Sequence, residues 1–196
     1  MIDYNAIITH FYTPGYPDHD ILVTHSRQVA QLAVTLATHY NVQHPEQQPI
    51  DTTFVEEAAM LHDIAVFRTY APGIGCYGDQ PYIKHGILGR ELLEQLCLPR
   101  HALVCERHTG AGISTDDIVH QHLDLPLRDM LPISLEEKVI CYADKFYSKS
   151  HISRMKTIDK TRQSLAKFGP GTTQRFEELV QLFGFPSSLP PLPLAR

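Results

Sequence analysis

The chain has 196 residues, of which 43% are hydrophobic and 20% are charged, and its formal net charge is −5. This composition is typical of one globular domain, and no apolar run approaches the about 18 residues that a membrane-spanning helix needs. The negative charge argues against a general nucleic-acid-binding surface, and the N-terminus has no basic segment followed by an apolar core. We therefore expect a cytoplasmic protein that binds neither nucleic acid nor membrane.

Apolar residues recur at helical spacing along most of the chain. Asp18 is suited to cap a long second helix, and Asp51 or Thr52 to cap the third. Ser134 and Glu137 fit a capping box before a later helix. We predict helices over about residues 3–12, 18–40, 52–67, 84–97, 99–108, 134–147, 159–168 and 173–184.

Two longer segments interrupt the helical pattern. Residues 69–84 contain two prolines, three glycines and three tyrosines, and residues 110–132 are mostly polar, so we predict both as irregular. Nothing in the sequence indicates a sheet, and the expected fold is all-α with seven or eight helices. We predict one domain over residues 1–196, with a core at about 20–150, a helical extension at 151–185 and a proline-rich tail at 186–196.

Residues of the type that binds metal ions occur on five predicted helical segments. The pair His62-Asp63 lies inside the apolar run AAMLHDIAVF, where ionisable groups are costly unless they are paired or bound to metal. Intervals of 22 to 37 residues separate the positions, which is about one helix plus a loop. Each helix can therefore return a ligand to a shared site, and the candidates are His25, His62, Asp63, His85, His108 and Asp144.

The chemistry of this set indicates the kind of metal site. Four imidazoles and two carboxylates suit Fe or Mn best, with Zn, Co and Ni also compatible, and are too many for one closed tetrahedral zinc ion. We predict two divalent transition-metal ions bridged by a carboxylate. The two ions would hold a bridging hydroxide, which would act as the nucleophile. Adjacent helical residues point about 100° apart, so Asp63 can bridge both ions while His62 binds one.

The ordered pattern of these six residues resembles the HD-domain superfamily of metal-dependent phosphohydrolases. The likeness covers about residues 20–150 and is carried by the segments THSRQVAQLA, AAMLHDIAVF, KHGILGRELL, ERHTG and KVICYADKFYSK. It implies a helical bundle that hydrolyses phosphoesters, usually of nucleotides, and the two intermediate histidines are similar to those of the binuclear branches. It further implies that the first ion is held by His25, His62, Asp63 and Asp144, and the second by Asp63, His85 and His108.

The sequence departs from the family pattern just after the His-Asp pair. Many members carry Gly-Lys where this chain has Ala65-Val66, and the Glu that mononuclear deoxynucleoside 5′-monophosphatases use there is missing. Other cations would then bind the phosphate. We predict Asp63 and Lys84 as catalytic residues and four substrate-binding cations, with a solvated face or an ion pair as the alternative for each: Lys84, Lys145, Arg27 and Arg68.

The leading hypothesis is a binuclear phosphohydrolase that acts on a nucleotide or a related small phosphate ester. One alternative is an HD-type mixed-valent di-iron oxygenase acting on a small organic substrate, since such proteins use the same six ligands. A non-catalytic nucleotide-binding module is another. The tyrosine-rich loop at 69–82 would stack on a nucleobase, act as a lid or simply cover the bundle, and the sequence sets no oligomeric state.

Overall fold

The computed structural model describes residues 1–150 and 155–184 and confirms the all-α fold. The predicted tail at 186–196 lies outside these residues. No helix in the described ranges is both long and apolar enough to cross a membrane. The described helices are α1 (Tyr4–Phe11), α2 (Pro17–Gln43), α3 (Thr52–Leu61), α4 (His85–Gln95), α5 (Pro99–Arg107), α6 (Thr115–His120), α7 (Leu135–Asp144), α8 (Ile158–Leu165) and α9 (Pro170–Phe183).

The helix starts follow mostly from capping chemistry. The side chains of Asp51 and Ser134 accept backbone N–H hydrogen bonds and cap α3 and α7. The capping box predicted at Ser134 is only half formed, because the Glu137 carboxylate accepts from the backbone N–H of Ile133 instead. Helix α2 begins at Pro17, because the fixed φ of proline suits the first helical position. Asp18 therefore lies inside the helix and is not its cap.

The core forms where α2, α3, α5 and α7 pack together, with α4 lying along α5. Leu36, Leu61 and Ile140 are among its fully buried side chains. Helix α9 closes one side through Tyr142, whose hydroxyl donates a hydrogen bond to the carbonyl oxygen of Gly184 at 2.7 Å. The described part of the C-terminal extension thus packs on the same core as the central helices.

Two glycines let α4 approach α5 closely. A Cβ atom on Gly86 would lie 2.7 Å from the carbonyl oxygen of Cys105, and one on Gly89 would lie 3.0 Å from the Cys105 Cβ. Side chains at these positions would push the helices apart. The close approach places His85, at the start of α4, against His108, just after α5.

The structure corrects the predicted end of the third helix. Helix α3 ends at Leu61 and not near Phe67. The Nδ1 atom of His62 donates to the carbonyl oxygen of Ala59 at 2.6 Å, and the backbone then tightens into a 3₁₀ turn at Val66–Arg68. His62 and Asp63 therefore occupy the turn after a helix, where both side chains face inward.

Two short elements were missed by sequence reasoning. The expectation of no sheet was wrong, because β1 (Tyr70–Ala71) and β2 (Cys76–Tyr77) form an antiparallel pair, too short to show an alternating pattern. The second segment predicted to be irregular, residues 110–132, contains α6. Its signal was present in the sequence, since Ser114 and Asp117 form a capping box.

Candidate metal centre

The six candidate ligands converge on one buried cluster where helix ends meet α2. Five of them stand at or directly after a helix end, so their side chains can turn toward a common point. In chain order they are His25 within α2, His62 and Asp63 after α3, His85 at the start of α4, His108 after α5, and Asp144 at the end of α7.

Four of these residues form a first group of ligand atoms. The Oδ1 atom of Asp144 lies 3.0 Å from Nε2 of His25 and 3.5 Å from Nε2 of His62. The Oδ2 atom of Asp63 lies 3.0 Å from Nε2 of His62 and 3.4 Å from Nε2 of His25. Neighbouring ligands around a metal with bonds of about 2.1 Å at right angles are about 3.0 Å apart, so this spacing fits one ion.

The second group uses the other oxygen of the same carboxylate. The Oδ1 atom of Asp63 lies 3.5 Å from Nε2 of His85 and 3.5 Å from Nε2 of His108. The two Nε2 atoms are 3.1 Å apart. Asp63 therefore offers one oxygen to each group, which is the arrangement of a carboxylate that bridges two ions.

Backbone carbonyl groups orient three of the four imidazoles. The Nδ1 atoms of His62, His85 and His108 donate to carbonyl oxygens three residues earlier, at 2.6, 2.7 and 2.8 Å. This hydrogen bond places the proton of a neutral ring on Nδ1 and leaves the lone pair of Nε2 facing the cluster. A carbonyl behind the ring is the usual support of a metal-binding histidine.

The pKa shifts in the cluster follow from burial and the two carboxylates. Burial lowers the pKa of His85 to about 3 and also lowers that of His108. Burial alone would lower the pKa of His62, but Asp63 and Asp144 raise it to about 9, so a metal ion would compete with a proton for Nε2. The pKa of Asp63 lies well below its usual range because His62 and Lys149 outweigh the effect of burial.

Metal ions fit this cluster better than protons do. Within the described residues, Nε2 of His25, Nε2 of His62 and both oxygens of Asp63 are buried without a hydrogen bond of good geometry. With their protons on Nδ1, His85 and His108 point two lone pairs at each other. Such groups are costly to bury unless a cation takes them, and nitrogen and carboxylate donors suit a divalent transition metal.

The cluster opens into a cleft of about 620 Å³. The Nζ atom of Lys145 lies 2.6 Å from Oδ2 of Asp144 and donates to the carbonyl oxygen of His108 at 3.0 Å. The Nζ atom of Lys149 lies 2.6 Å from Oδ2 of Asp63. Two ammonium groups therefore stand beside the cluster, and sequence reasoning identified Lys145 but missed Lys149.

The other three predicted cations lie away from the cleft lining. The Nζ atom of Lys84 forms an ion pair with Asp124 at 2.6 Å. Arg27 is exposed on α2 on the side of Tyr4, and Arg68 is exposed at the end of its 3₁₀ turn. For Lys84 the structure thus shows the ion pair that was the alternative to phosphate binding, and its neighbour His85 takes the inward-facing position.

The tyrosine-rich segment contributes a ring directly to the cluster. Tyr82 stacks on His85 with ring centroids 4.7 Å apart, and its hydroxyl accepts a hydrogen bond from Lys149 at 3.0 Å. Tyr70 and Tyr77, which pair across β1 and β2, are exposed. The loop thus supports His85 and Lys149 and also walls the cleft with Ala71 and nearby residues.

Several known proteins have sequences similar to that of the chain. A protein of Methanocaldococcus jannaschii named as uncharacterized is 32% identical over 151 residues, which cover 76% of this chain and 80% of that protein. Two proteins named tRNA (cytidine(56)-2′-O)-methyltransferase are also similar, from Picrophilus torridus (31% over 140 residues, 71% of this chain) and Thermoplasma volcanium (27% over 176 residues, 89% of this chain). The match spans only 35% and 44% of those two proteins. No solved structure matches the chain.

The family comparison covers the whole cluster. The HD-domain pattern matches residues 22–148, which include all six candidate ligands and more than half of the chain. The helical fold and the two groups of His and Asp ligand atoms agree with this match. The chain belongs to the HD-domain family of metal-dependent hydrolases.

Proposed function

We propose that the protein is a binuclear metal-dependent phosphohydrolase that cleaves a phosphoester or phosphoanhydride bond of a nucleotide or a related small phosphate ester. The observation that carries this proposal is Asp63, whose two oxygens serve two separate ligand groups at the floor of a cleft lined by lysines. Two divalent ions, Fe or Mn by ligand type, would lower the pKa of water and polarise a phosphoryl oxygen there.

The residues around the cluster have distinct tasks in this proposal. His25, His62 and Asp144 complete the first ligand group, and His85 and His108 the second. The ammonium groups of Lys145 and Lys149 stand where they can bind phosphate oxygens and stabilise the charge that develops during cleavage. They take the role that the sequence analysis gave to Lys84, which pairs with Asp124 and does not line the cleft.

The size and charge of the cleft support a small anionic substrate. A volume of about 620 Å³ is in the range of small-molecule sites. The chain as a whole carries a net charge of −5, which disfavours a long polyanion such as nucleic acid outside the cleft. Two relatives have tRNA in their names, but each is more than twice as long as the region that matches this chain. Phosphorylated RNA ends are therefore included among the substrates to be tested.

The test combines metal analysis with a substrate panel. Protein loaded anaerobically with Mn²⁺ or Fe²⁺ should contain two ions per chain and release phosphate from at least one of a set of nucleotides, sugar phosphates and phosphorylated RNA ends. Asp63→Asn should lose ions and activity together, whereas His101→Ala, which alters a buried histidine outside the cluster, should keep both. Two ions without phosphate release, but with O₂ uptake on a polyol or a phosphonate, would replace this proposal with the di-iron oxygenase.

A further inference from the structure

A second pair of lysines lines the same cleft and is not used by the proposed function. Lys156 lies in the segment before α8, and Lys167 lies in the 3₁₀ turn Ala166–Phe168 that follows α8. Both line the cleft together with Ser164 and Phe168, on the wall that the C-terminal helices provide. Neither belongs to the metal-ligand cluster.

Lys156 lies beside the cluster and, in the part of the chain that the structure describes, forms no ion pair with a carboxylate. Its backbone N–H donates to the carbonyl oxygen of Phe146 at 2.7 Å, which fixes the segment against the end of α7. Its Nζ atom reaches the carbonyl oxygen of Lys145 at 3.5 Å. Burial lowers the pKa of Lys156, and the nearby ammonium groups of Lys145 and Lys149 lower it further against the attraction of Asp144. An anion in the cleft would relieve this repulsion.

Lys167 is exposed toward the cleft and, among the described residues, forms no ion pair. The other two lysines of the cleft lining are paired: Lys145 with Asp144 and Lys149 with Asp63. Lys156 and Lys167 thus leave positive charge in the cleft that the protein itself does not neutralise. A partly enclosed site with unneutralised ammonium groups favours an anionic ligand.

We propose that Lys156 and Lys167 form a second anion subsite, which binds a phosphate group of the substrate other than the one that is cleaved. The inference rests on the proposed function, since Lys145, Lys149 and the ligand cluster would bind the reacting phosphate. The preferred substrate therefore carries at least two phosphate groups. A substrate with one phosphate would leave Lys156 and Lys167 without an anionic partner.

Binding of phosphonates tests the subsite without turnover. Mn²⁺-loaded protein is titrated by calorimetry with propylphosphonate and with alkylenediphosphonates of increasing spacer length, which contain no P–O ester bond to hydrolyse. At the best spacer length, the diphosphonate should bind on the order of 100-fold more tightly than the monophosphonate, about tenfold for each lysine. Lys156→Met with Lys167→Met should remove this difference and leave monophosphonate binding unchanged.

Controls separate the subsite from the metal centre. Lys160→Met removes an exposed lysine from α8 outside the cleft lining and should retain the full preference. Lys156→Arg with Lys167→Arg should keep the preference for two phosphonates, because Arg also binds phosphate. If the double Met variant keeps the preference for two phosphonates, the subsite is wrong and the proposed function stands. If wild-type protein binds neither ligand, the proposed function and the subsite both fail.

Discussion

Substitution of His85 by alanine tests whether two metal sites share Asp63. His85 belongs to the second ligand group alone, and its Nε2 atom lies 3.5 Å from Oδ1 of Asp63 and 3.1 Å from Nε2 of His108. The first group, which uses the other oxygen of Asp63, keeps all its ligands in the variant. We therefore expect His85→Ala to bind one ion per chain where the wild type binds two.

The expected size of the effect follows from binding linkage. An ion present at about 100 times its dissociation constant stabilises the folded state by about 2.7 kcal/mol. For a domain of this size each kcal/mol raises Tm by roughly 2–4 °C, so each ion should add about 5–10 °C. The wild type should thus gain about 10–20 °C on metal loading and the variant about half of that. Phosphate release should fall by on the order of 100-fold or more, because one of the two charge-stabilising ions is lost.

Elemental analysis and thermal melts with and without metal measure these quantities. Comparing each variant with its own metal-free form cancels the cost of removing a buried ring, which is about 1–3 kcal/mol. His101→Ala is the matched control, since His101 is also buried but contacts Phe54 and Glu57 outside the cluster. Retention of two ions by His85→Ala would refute the assignment of the second group, and loss of both ions would refute the independence of the first.

Three further substitutions test other parts of the structure. Lys149→Met should tighten Mn²⁺ binding several-fold in calorimetry, because an ammonium no longer competes for the bridging carboxylate, and should lower kcat/KM by about tenfold or more. Hydrogen bonds from Ser114 and Arg175 outweigh burial and lower the pKa of Asp117. Its stabilising contribution is present above the unfolded pKa of about 4 and is lost as pH falls through the lower folded value, so Asp117→Asn should reduce stability at pH 7 and flatten its acid dependence in urea melts. Gly78→Ala should lower the free energy of unfolding by about 2 kcal/mol or more, because a Cβ there would lie 2.1 Å from the Arg68 carbonyl. The loss would be measured as a lower Tm in thermal melts.

The six ligands could be predicted from the sequence because of the type of residue and the spacing between them. A histidine and an aspartate inside an apolar run need a partner, and intervals of a helix plus a loop return such residues to one end of a bundle. The structure places all six residues in two groups that share Asp63. Within each group the ligand atoms lie within 4.8 Å of one another. The sequence did not indicate the end of α3 at Leu61, because no glycine or proline marks it and the apolar run continues to Phe67.

The cations were harder to predict because sequence adjacency does not give direction. Lys84 precedes His85, but adjacent residues in a helical turn point about 100° apart, and with His85 facing inward Lys84 reaches Asp124. Lys149 lies five residues beyond Asp144, past the end of α7, where no periodicity fixes its side chain. Only the folded chain shows that its ammonium reaches Asp63.

The local charge of the cleft is opposite in sign to the net charge of the chain. The chain has a net charge of −5, yet the cleft gathers four lysines around two carboxylates. Two divalent ions would outweigh those carboxylates and leave the lysines without internal anions. The loaded site would then be strongly positive inside a negative protein, and such a field favours a compact ligand that carries several negative charges over an extended polyanion, which the outer surface repels. A small substrate with two or more phosphate groups meets both conditions.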